Sequence, residues 1–327
     1  MRSRLVGFPV IFTAILGILW LGSYGARARG QTEPPAGGAV KDSSQAIPHF
    51  NATTTLVLIP VTVTDPLNRF VLGLRKQDFH IFEDGAEQTI TTLSGEDTPL
   101  SVGLLFDTSG SMNYKLQTSR QAVTQFLKTM NPQDESFLVS FSDKATLAAG
   151  FTSNSVEIQT KVALLQPGGL TAMLDAVDTA LREMKNAKNP RKAILIVSDG
   201  GDNNSRYTPP QIQDLVREAD VQVYAMGVFE PTFSIGMSPE EVSGPRLLSQ
   251  LAEQTGGRAF TAVDPNDLPS IAARIGIELR NQYVLAYSPK NQERDGKFRH
   301  VEVKIAQPAG LPAIKAHWRT GYYAPSE

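Results

Sequence analysis

The chain has 327 residues, of which 41% are hydrophobic and 20% are charged, a composition typical of a folded globular protein. Its formal net charge is -2, and neither this charge nor any run of Lys or Arg indicates a surface for nucleic acid. The sequence contains no cysteine. Disulfides, thiolate metal sites, cysteine nucleophiles and a lipid anchor on cysteine are therefore excluded.

The N-terminal residues predict export. Two arginines precede an apolar run over residues 5–21, and Ala26-Arg27-Ala28 supplies small residues at the positions a signal peptidase reads. We predict a signal peptide over residues 1–28 and a periplasmic, outer-surface or secreted protein. An uncleaved membrane anchor is the alternative, since the run approaches bilayer thickness. Residues 29–50, rich in Gly, Pro, Ser and Gln, predict a flexible linker.

Residues 51–99 carry mainly β-strand signals. The predicted strands are 55–64, 70–74, 79–82 and 88–93. Glu83-Asp84-Gly85 separates the last two and favours a hairpin, because glycine tolerates the positive φ of tight turns.

From residue 100 to residue 280, short apolar runs alternate with amphipathic helical segments. The predicted strands are 102–106, 137–141, 193–197, 221–228 and 258–261. The predicted helices lie around residues 122–130, 173–184, 212–219, 247–252 and 268–279. This alternation predicts the α/β class, a doubly wound and mostly parallel sheet with helices on both faces.

Residues 281–327 return to β-strand signals. The predicted strands are 283–287, 300–305 and 313–318. Neither β segment alone is long enough to bury a sound core. We therefore predict that 281–327 pairs with 51–99 in a small β-sandwich, with the α/β domain of residues 100–280 inserted in it or flanked by it.

Oxygen-bearing side chains lie in three loops at the ends of predicted elements. They are Asp107, Ser109, Ser111, Thr171 and Asp199. The first three follow the first buried strand, Thr171 precedes a helix, and Asp199 ends the central strand. In a doubly wound sheet, ligands bind at the carboxyl ends of the strands, so the three loops lie where a site is expected.

This set of ligands suits a hard divalent cation, Mg²⁺ most naturally, with Mn²⁺ or Ca²⁺ as alternatives. Because the hydroxyls are neutral, only two aspartates offset the charge of the ion, which stays electron-poor at an open coordination position. An Asp or Glu carboxylate from a protein partner is the group expected to fill that position. A serine-rich loop in which Asp107 caps the next helix is the simpler alternative.

The pattern Asp107-x-Ser109-x-Ser111, with Thr171 and Asp199, resembles the metal-ion-dependent adhesion site of the von Willebrand factor A family. Residues 248–260 resemble a late helix and strand of bacterial members, and the β segments resemble exported VWFA-related proteins of the acidobacterial type. The resemblance implies that Asp107, Ser109 and Ser111 bind metal directly. It implies that Thr171 and Asp199 bind directly or through water.

Other polar residues are given simpler interpretations. Asp143 is read as a turn residue at a strand end, and residues 202–204 as a solvated loop near the site. The four histidines, His49, His80, His300 and His317, have no metal-ligand spacing. They are expected in the linker and the β regions.

Three functions are compatible with these features. Metal-dependent adhesion or envelope assembly is the leading one, without enzymatic activity. A structural envelope component whose metal only ties loops together is the second. A metal-dependent hydrolase is the least supported, because the sequence lacks a G-x-S-x-G or H-E-x-x-H motif and offers no histidine near the site.

Overall fold

The computed structural model describes residues 56–95, 98–228, 239–306 and 313–326. The predicted signal peptide (1–28) and linker (29–50) lie outside the described residues. The described residues belong to one compact unit, Thr53–Glu327. Within the described ranges, no helix has the length and apolar character needed to cross a membrane.

The unit combines one mostly parallel sheet, its covering helices and two antiparallel sheets. In chain order the strands are β1 (Val57–Thr64), β2 (Phe79–Glu83), β3 (Ala86–Gln88), β4 (Ile90–Gly95), β5 (Leu100–Asp107), β6 (Glu135–Phe141), β7 (Ala145–Thr152), β8 (Arg191–Ser198), β9 (Gln222–Val228), β10 (Ala259–Ala262), β11 (Tyr283–Tyr287), β12 (Phe298–Ile305), β13 (Lys315–Trp318) and β14 (Gly321–Tyr323). The helices are α1 (Leu116–Leu127), α2 (Ser155–Leu164), α3 (Met173–Glu183), α4 (Pro209–Glu218), α5 (Pro239–Glu253) and α6 (Leu268–Arg280).

The central sheet has the order β10-β9-β8-β5-β6-β7. Its strands are parallel except β7, which runs antiparallel to β6. Every residue of β5 is buried, as expected for a strand covered on both faces. Alternate side chains of β5 enter two different cores: Leu104 and Phe106 pack with α1 and α6, whereas Leu105 packs with α3, α4 and α5. The predicted doubly wound α/β fold is confirmed.

The two antiparallel sheets form a β-sandwich. One has the order β13-β1-β11-β4 and the other β14-β12-β2-β3. Each sheet therefore takes strands from both sides of the α/β domain. A shared apolar core fills the space between the sheets and includes Ile59, Ile81, Leu285 and Val303.

The predicted strand over residues 70–74 is wrong. In this stretch Phe70 makes only an isolated bridge with Thr64. The Leu74 backbone N–H donates to the Tyr283 hydroxyl at 3.0 Å, and Gly73 has φ 83°. The segment therefore uses a side-chain hydrogen bond and a left-handed residue instead of a strand ladder.

The predicted strand over residues 88–93 is divided between the two sheets. β3 pairs with β2 across a turn at Asp84 and Gly85, which have φ 47° and 82°. β4 pairs instead with β11. The expected turn is present, but the second strand leaves its hairpin partner after three residues and crosses to the facing sheet.

Three further elements, β7, α2 and β14, were not predicted. β7 lies at the sheet edge and has only one buried residue, in an irregular burial pattern, so it lacks the continuous apolar run of a buried strand. α2 begins after Asn154, whose side-chain oxygen accepts from the Val156 N–H at 3.1 Å, a standard N-cap.

Candidate metal centre

The candidate site lies where the strand order of the central sheet reverses. β5 precedes its two neighbours β8 and β6 in sequence, and Asp107 is its last residue. Asp199 directly follows β8, and Thr171 lies two residues before α3. Parallel neighbours end at the same sheet edge, so the fold collects these loops at the position where open α/β sheets bind ligands.

Asp107 is fully buried and both of its carboxylate oxygens accept hydrogen bonds. Oδ1 accepts from the Ser109 N–H at 2.8 Å, and Oδ2 accepts from the Ser198 hydroxyl at 2.6 Å. Burial and, second, the negative charge of Asp199 raise the pKa of Asp107 to about 7. Two buried carboxylates repel each other, so a cation between them would relieve this cost.

Ser109 and Ser111 bring their hydroxyls together. Their Oγ atoms lie 3.1 Å apart, with Ser109 buried and Ser111 exposed. The intervening Gly110 donates its N–H to the Gly169 carbonyl at 3.0 Å. This bond ties the serine loop to the loop that carries Thr171.

The buried Thr171 is held by residues from the loop after β8. Its N–H donates to Asn203 Oδ1 at 2.9 Å, and its carbonyl accepts from the N–H groups of Asn203 and Asn204, both at 3.1 Å. Asp143 holds the other side, since its Oδ1 accepts from the Leu170 N–H at 2.8 Å. The exposed Asp143 is thus a residue after a strand end, as predicted, and its carboxylate also orders the threonine loop.

The prediction of a solvated loop is wrong for Asp202, which is half-buried. Its Oδ2 accepts from the Leu174 N–H at 2.9 Å, at the start of α3, and from the Ser205 hydroxyl at 2.6 Å. A carboxylate at a helix N-terminus satisfies otherwise unpaired N–H groups. Burial raises the pKa of Asp202. Asp202 therefore fixes α3 relative to the loop that carries Asp199.

The loop after β8 also packs closely against α5. Gly200 has φ 80°, and a Cβ built there would lie 2.7 Å from the Gly244 carbonyl carbon. Both positions require glycine because backbone meets backbone. This contact holds the residue next to Asp199.

Asp199 has one carboxylate oxygen without a donor. Its side chain is 8% exposed, and Oδ2 lies 3.4 Å from Lys115 Nζ. Oδ1 is buried and has no hydrogen-bond partner among the described residues. A buried acceptor of this kind is uncommon without a water or ion. This unpaired oxygen and the hydroxyls carried by the neighbouring loops fit a bound divalent cation.

The composition of the site sets its chemistry. The described part of the chain holds no group of three or more His, Cys, Asp or Glu residues suited to a metal. The candidate site differs from such a group, since it combines two carboxylates with three hydroxyls. Oxygen ligands of this kind suit Mg²⁺, Mn²⁺ or Ca²⁺. When bound, the cation would supply Lewis acidity at a position open to an incoming oxygen.

Sequence reasoning did not assign roles to Ser198 or Lys115. Ser198 directly precedes Asp199 at the end of β8, and its hydroxyl accepts from the Gly200 N–H at 2.9 Å besides bonding Asp107. Lys115 precedes α1, eight residues after Asp107 in the chain. Ser198 could have been found from the sequence, because it stands next to Asp199 at the end of a predicted strand. No local sequence pattern indicates a role for Lys115.

An open α/β sheet with oxygen ligands at its switch point defines a class of ligand-binding domains. Within this chain, residues 102–201 match the profile of the von Willebrand factor type A domain. This part of the chain is similar to the von Willebrand factor type A domain family. The narrower resemblance to exported acidobacterial proteins stays a prediction.

Several known proteins are similar to parts of this chain. The human inter-alpha-trypsin inhibitor heavy chain H4 is 28% identical over 195 residues, which are 56% of this chain and 20% of that protein. A von Willebrand factor type A structure from Catenulispora acidiphila covers 84% of this chain and 75% of its own, with 13% identity and a TM-score of 0.48. The vWF domain of the type V pili tip protein Mfa5 from Porphyromonas gingivalis covers 55% and 94%, with 14% identity and a TM-score of 0.47. The chain thus spans about a fifth of the human relative's length.

Proposed function

We propose that this chain binds a protein partner through a divalent cation, most naturally Mg²⁺, held by five side chains. They are Asp107, Ser109, Ser111, Thr171 and Asp199. The observation that carries the proposal is the buried, unpaired Oδ1 of Asp199. The neighbouring loops carry three hydroxyls that can complete an oxygen site. The cation would accept an Asp or Glu carboxylate of the partner. The proposal assigns no catalytic role to the site.

Exposed apolar side chains on two of the site loops support a protein surface as the ligand. Tyr114, three residues after Ser111, is 94% exposed, and Leu170, next to Thr171, is 48% exposed. Exposed aromatic and aliphatic residues are typical of the anchor positions of protein interfaces. A partner whose acidic residue is flanked by apolar residues would contact the cation and these side chains together.

The setting of the proposed function is adhesion or envelope assembly outside the cytoplasm. The predicted signal peptide supports export. The human relative, named as a heavy chain of an inhibitor, supports association between proteins as the role of the domain.

The first experiment is calorimetric titration of the purified full chain with Mg²⁺. Asp107→Ala is expected to abolish binding without unfolding the domain, because the substitution removes a central ligand and also relieves the repulsion with Asp199. Asp214→Ala is the matched control, since Asp214 lies on α4 with a side chain 61% exposed. The control is expected to bind Mg²⁺ like the wild type.

A capture experiment from the native envelope, with and without EDTA, then separates adhesion from a structural role. Capture that is lost in EDTA and in Asp107→Ala supports the proposal. Mg²⁺ binding with capture that EDTA does not affect would contradict it. That result would place the binding surface on the β-sandwich and leave the cation to tie the loops together.

A further inference from the structure

A narrow polar cleft lies at the other end of strand β8 from the candidate metal centre. Arg191 is the first residue of β8, whereas Asp199 directly follows the last one. The 8 residues of the strand separate the two places by about 25 Å. At the Arg191 end, a cleft of about 40 Å³ opens between the α/β domain and the β-sandwich. It has room for about three waters, or for one small oxyanion in their place.

Three buried hydrogen-bond donors that line this cleft have no partner among the described residues. They are Arg217 Nε in the last turn of α4, Gln254 Nε2 just after α5, and Arg319 Nε between β13 and β14. Buried polar atoms are rarely left unpaired without a water or an ion. All three atoms can only donate, so the group that completes them must accept hydrogen bonds, as the oxygens of an anion do.

The lining of the cleft has an excess of positive charge. Its charged residues are Arg191, Lys192, Arg217, Asp220 and Arg319. Arg319 pairs with Asp220, and Arg217 pairs with the exposed Asp214 on its own helix. Even with both acidic residues counted, the basic residues outnumber them by two. Such an excess around a small cleft attracts an anion.

Arg191 is the most deeply buried of these basic residues. It is 8% exposed, and its Nη2 donates to neutral groups, the Leu279 carbonyl and Gln282 Oε1. Burial lowers the pKa of Arg191, and the group that opposes this effect is the Tyr224 hydroxyl rather than a carboxylate. A buried cation without an anion is costly, so an anion in the cleft would stabilise Arg191.

We infer that this cleft binds a small tetrahedral oxyanion of the phosphate type. Phosphate has four acceptor oxygens and therefore suits donors that come from separate elements, whereas a carboxylate has two. Arg319 is already held in place, since Asp220 binds its Nη1 and its guanidinium lies 5.6 Å from the centre of the Tyr322 ring. The anion would join α4 and α5 to the sandwich. The inference goes beyond the proposed function, because no metal takes part in it.

The test is calorimetric titration of the full chain with inorganic phosphate in the presence of EDTA, so that no cation at Asp199 can recruit the anion. We expect saturable binding of one phosphate per chain. The melting temperature is expected to rise with phosphate more than with sodium chloride at equal ionic strength, because a ligand of the folded state stabilises it. Acetate is expected to bind about ten-fold more weakly, since it has fewer acceptor oxygens.

Two variants remove donors from the cleft. Arg319→Met is expected to weaken phosphate binding about ten-fold or more, because charge-assisted hydrogen bonds are the stronger kind. Gln254→Met is expected to weaken it about five-fold. This second variant removes a donor that has no protein partner, so the fold is expected to be kept. Arg75→Met is the matched control, since Arg75 is 71% exposed and lies outside the cleft.

Three outcomes would overturn the inference. If phosphate has no effect beyond that of sodium chloride, water satisfies the three donors. If Arg319→Met and Gln254→Met bind phosphate like the wild type, or if Arg75→Met weakens binding as much as they do, the anion binds to exposed basic residues instead. If acetate binds as tightly as phosphate, the cleft does not select a tetrahedral anion.

Discussion

Gly169 lies two residues before Thr171 with φ 83°, a conformation that side chains other than glycine rarely adopt. A Cβ built on it would lie 2.7 Å from the carboxyl atoms of Asp143. The same aspartate accepts the Leu170 N–H. The absence of a side chain at Gly169 therefore allows Asp143 to hold the threonine loop.

Gly169→Ala is expected to lower stability by about 1–2 kcal/mol, because it combines left-handed backbone strain with a steric clash. It is also expected to weaken Mg²⁺ binding, since Asp143 must move and the loop carrying Thr171 loosens. Urea denaturation and calorimetry measure the two effects. Gly150→Ala is the control, because a Cβ there meets nothing within 4 Å. Equal effects of the two substitutions would contradict this account.

At the scale of single residues, the candidate metal ligands could be predicted from the sequence, but the residues that position them could not. Asp107, Ser109 and Ser111 form a local pattern that can be recognised without a structure. Asp202 and Lys115 act on residues 28 and 84 positions away in the chain. Hydrogen bonds over such separations depend on the loops that the fold brings together, so no local pattern predicts them.

A buried polar network joins helix α6, strand β9 and the sandwich. Glu278 is fully buried, and its carboxylate accepts from Arg258 at 3.0 Å and from the Tyr224 hydroxyl at 3.2 Å. Gln282 donates to Tyr224 at 3.0 Å and to Thr62 of β1 at 3.1 Å. Burial raises the pKa of Glu278, although Arg258 acts in the opposite direction. The network thus depends on its arginine.

Arg258→Met is expected to destabilise the protein by about 3 kcal/mol, because removing one partner leaves a buried carboxyl without its cation. Urea denaturation measures the change. Arg217→Met serves as the control: Arg217 and Asp214 form an exposed pair, and exposed pairs contribute at most about 1 kcal/mol. A loss for Arg258→Met no larger than for the control would show that the network is energetically unimportant.

His317 is expected to make the stability of the protein depend on pH. It lies on β13, opposite Thr62 of β1, and burial, followed by the charges of Arg258 and Lys315, lowers its pKa from 6.5 to about 4. The folded protein therefore binds the proton more weakly than the unfolded chain. Stability is expected to fall as the pH drops from 6.5 towards 4.

Urea denaturation across this pH range measures the effect. His317→Gln is expected to reduce the slope of stability against pH, whereas the same change at the exposed His300 is expected to leave it as it is. An unchanged slope in His317→Gln would assign the acid sensitivity to other groups.

Elements with strong periodicity were the ones predicted correctly. Buried strands such as β5 and β8 appear as continuous apolar runs, and α3 shows an apolar stripe at helical spacing. The edge strand β7 has no such run, and residues 70–74 have apolar side chains without a neighbouring strand to pair with. Pairing is decided by the tertiary fold, which explains both errors.

At the scale of the whole molecule, the β-sandwich depends on both ends of the described chain. β11 lies between β1 and β4, and β12 lies between β14 and β2. Removing the C-terminal strands would therefore separate the remaining N-terminal strands and expose their apolar faces. The sequence indicated such pairing through an energetic argument, because each β segment alone is short. It did not indicate which strands become neighbours.

A chain truncated after Arg280 is expected to lose the sandwich, since Ile59 and Val61, both fully buried, would face solvent. We expect strong binding of a hydrophobic dye and rapid proteolysis of residues 56–95. The full chain gives the reference. A truncated chain whose N-terminal strands resist protease would show that they fold without the C-terminal ones.

The arrangement of strands also determines how the molecule carries mechanical load. Tension between the segment before β1 and a partner held at Asp107 would enter through β1 and β5. β1 is hydrogen-bonded to β11 and β13, and β5 to β8 and β6. Neither β1 nor β5 is an edge strand. A force along the axis of either strand therefore loads two ladders of hydrogen bonds in shear, instead of breaking the hydrogen bonds one at a time. If a partner binds at Asp107, the load would thus enter both sheets through strands that are hydrogen-bonded on both sides.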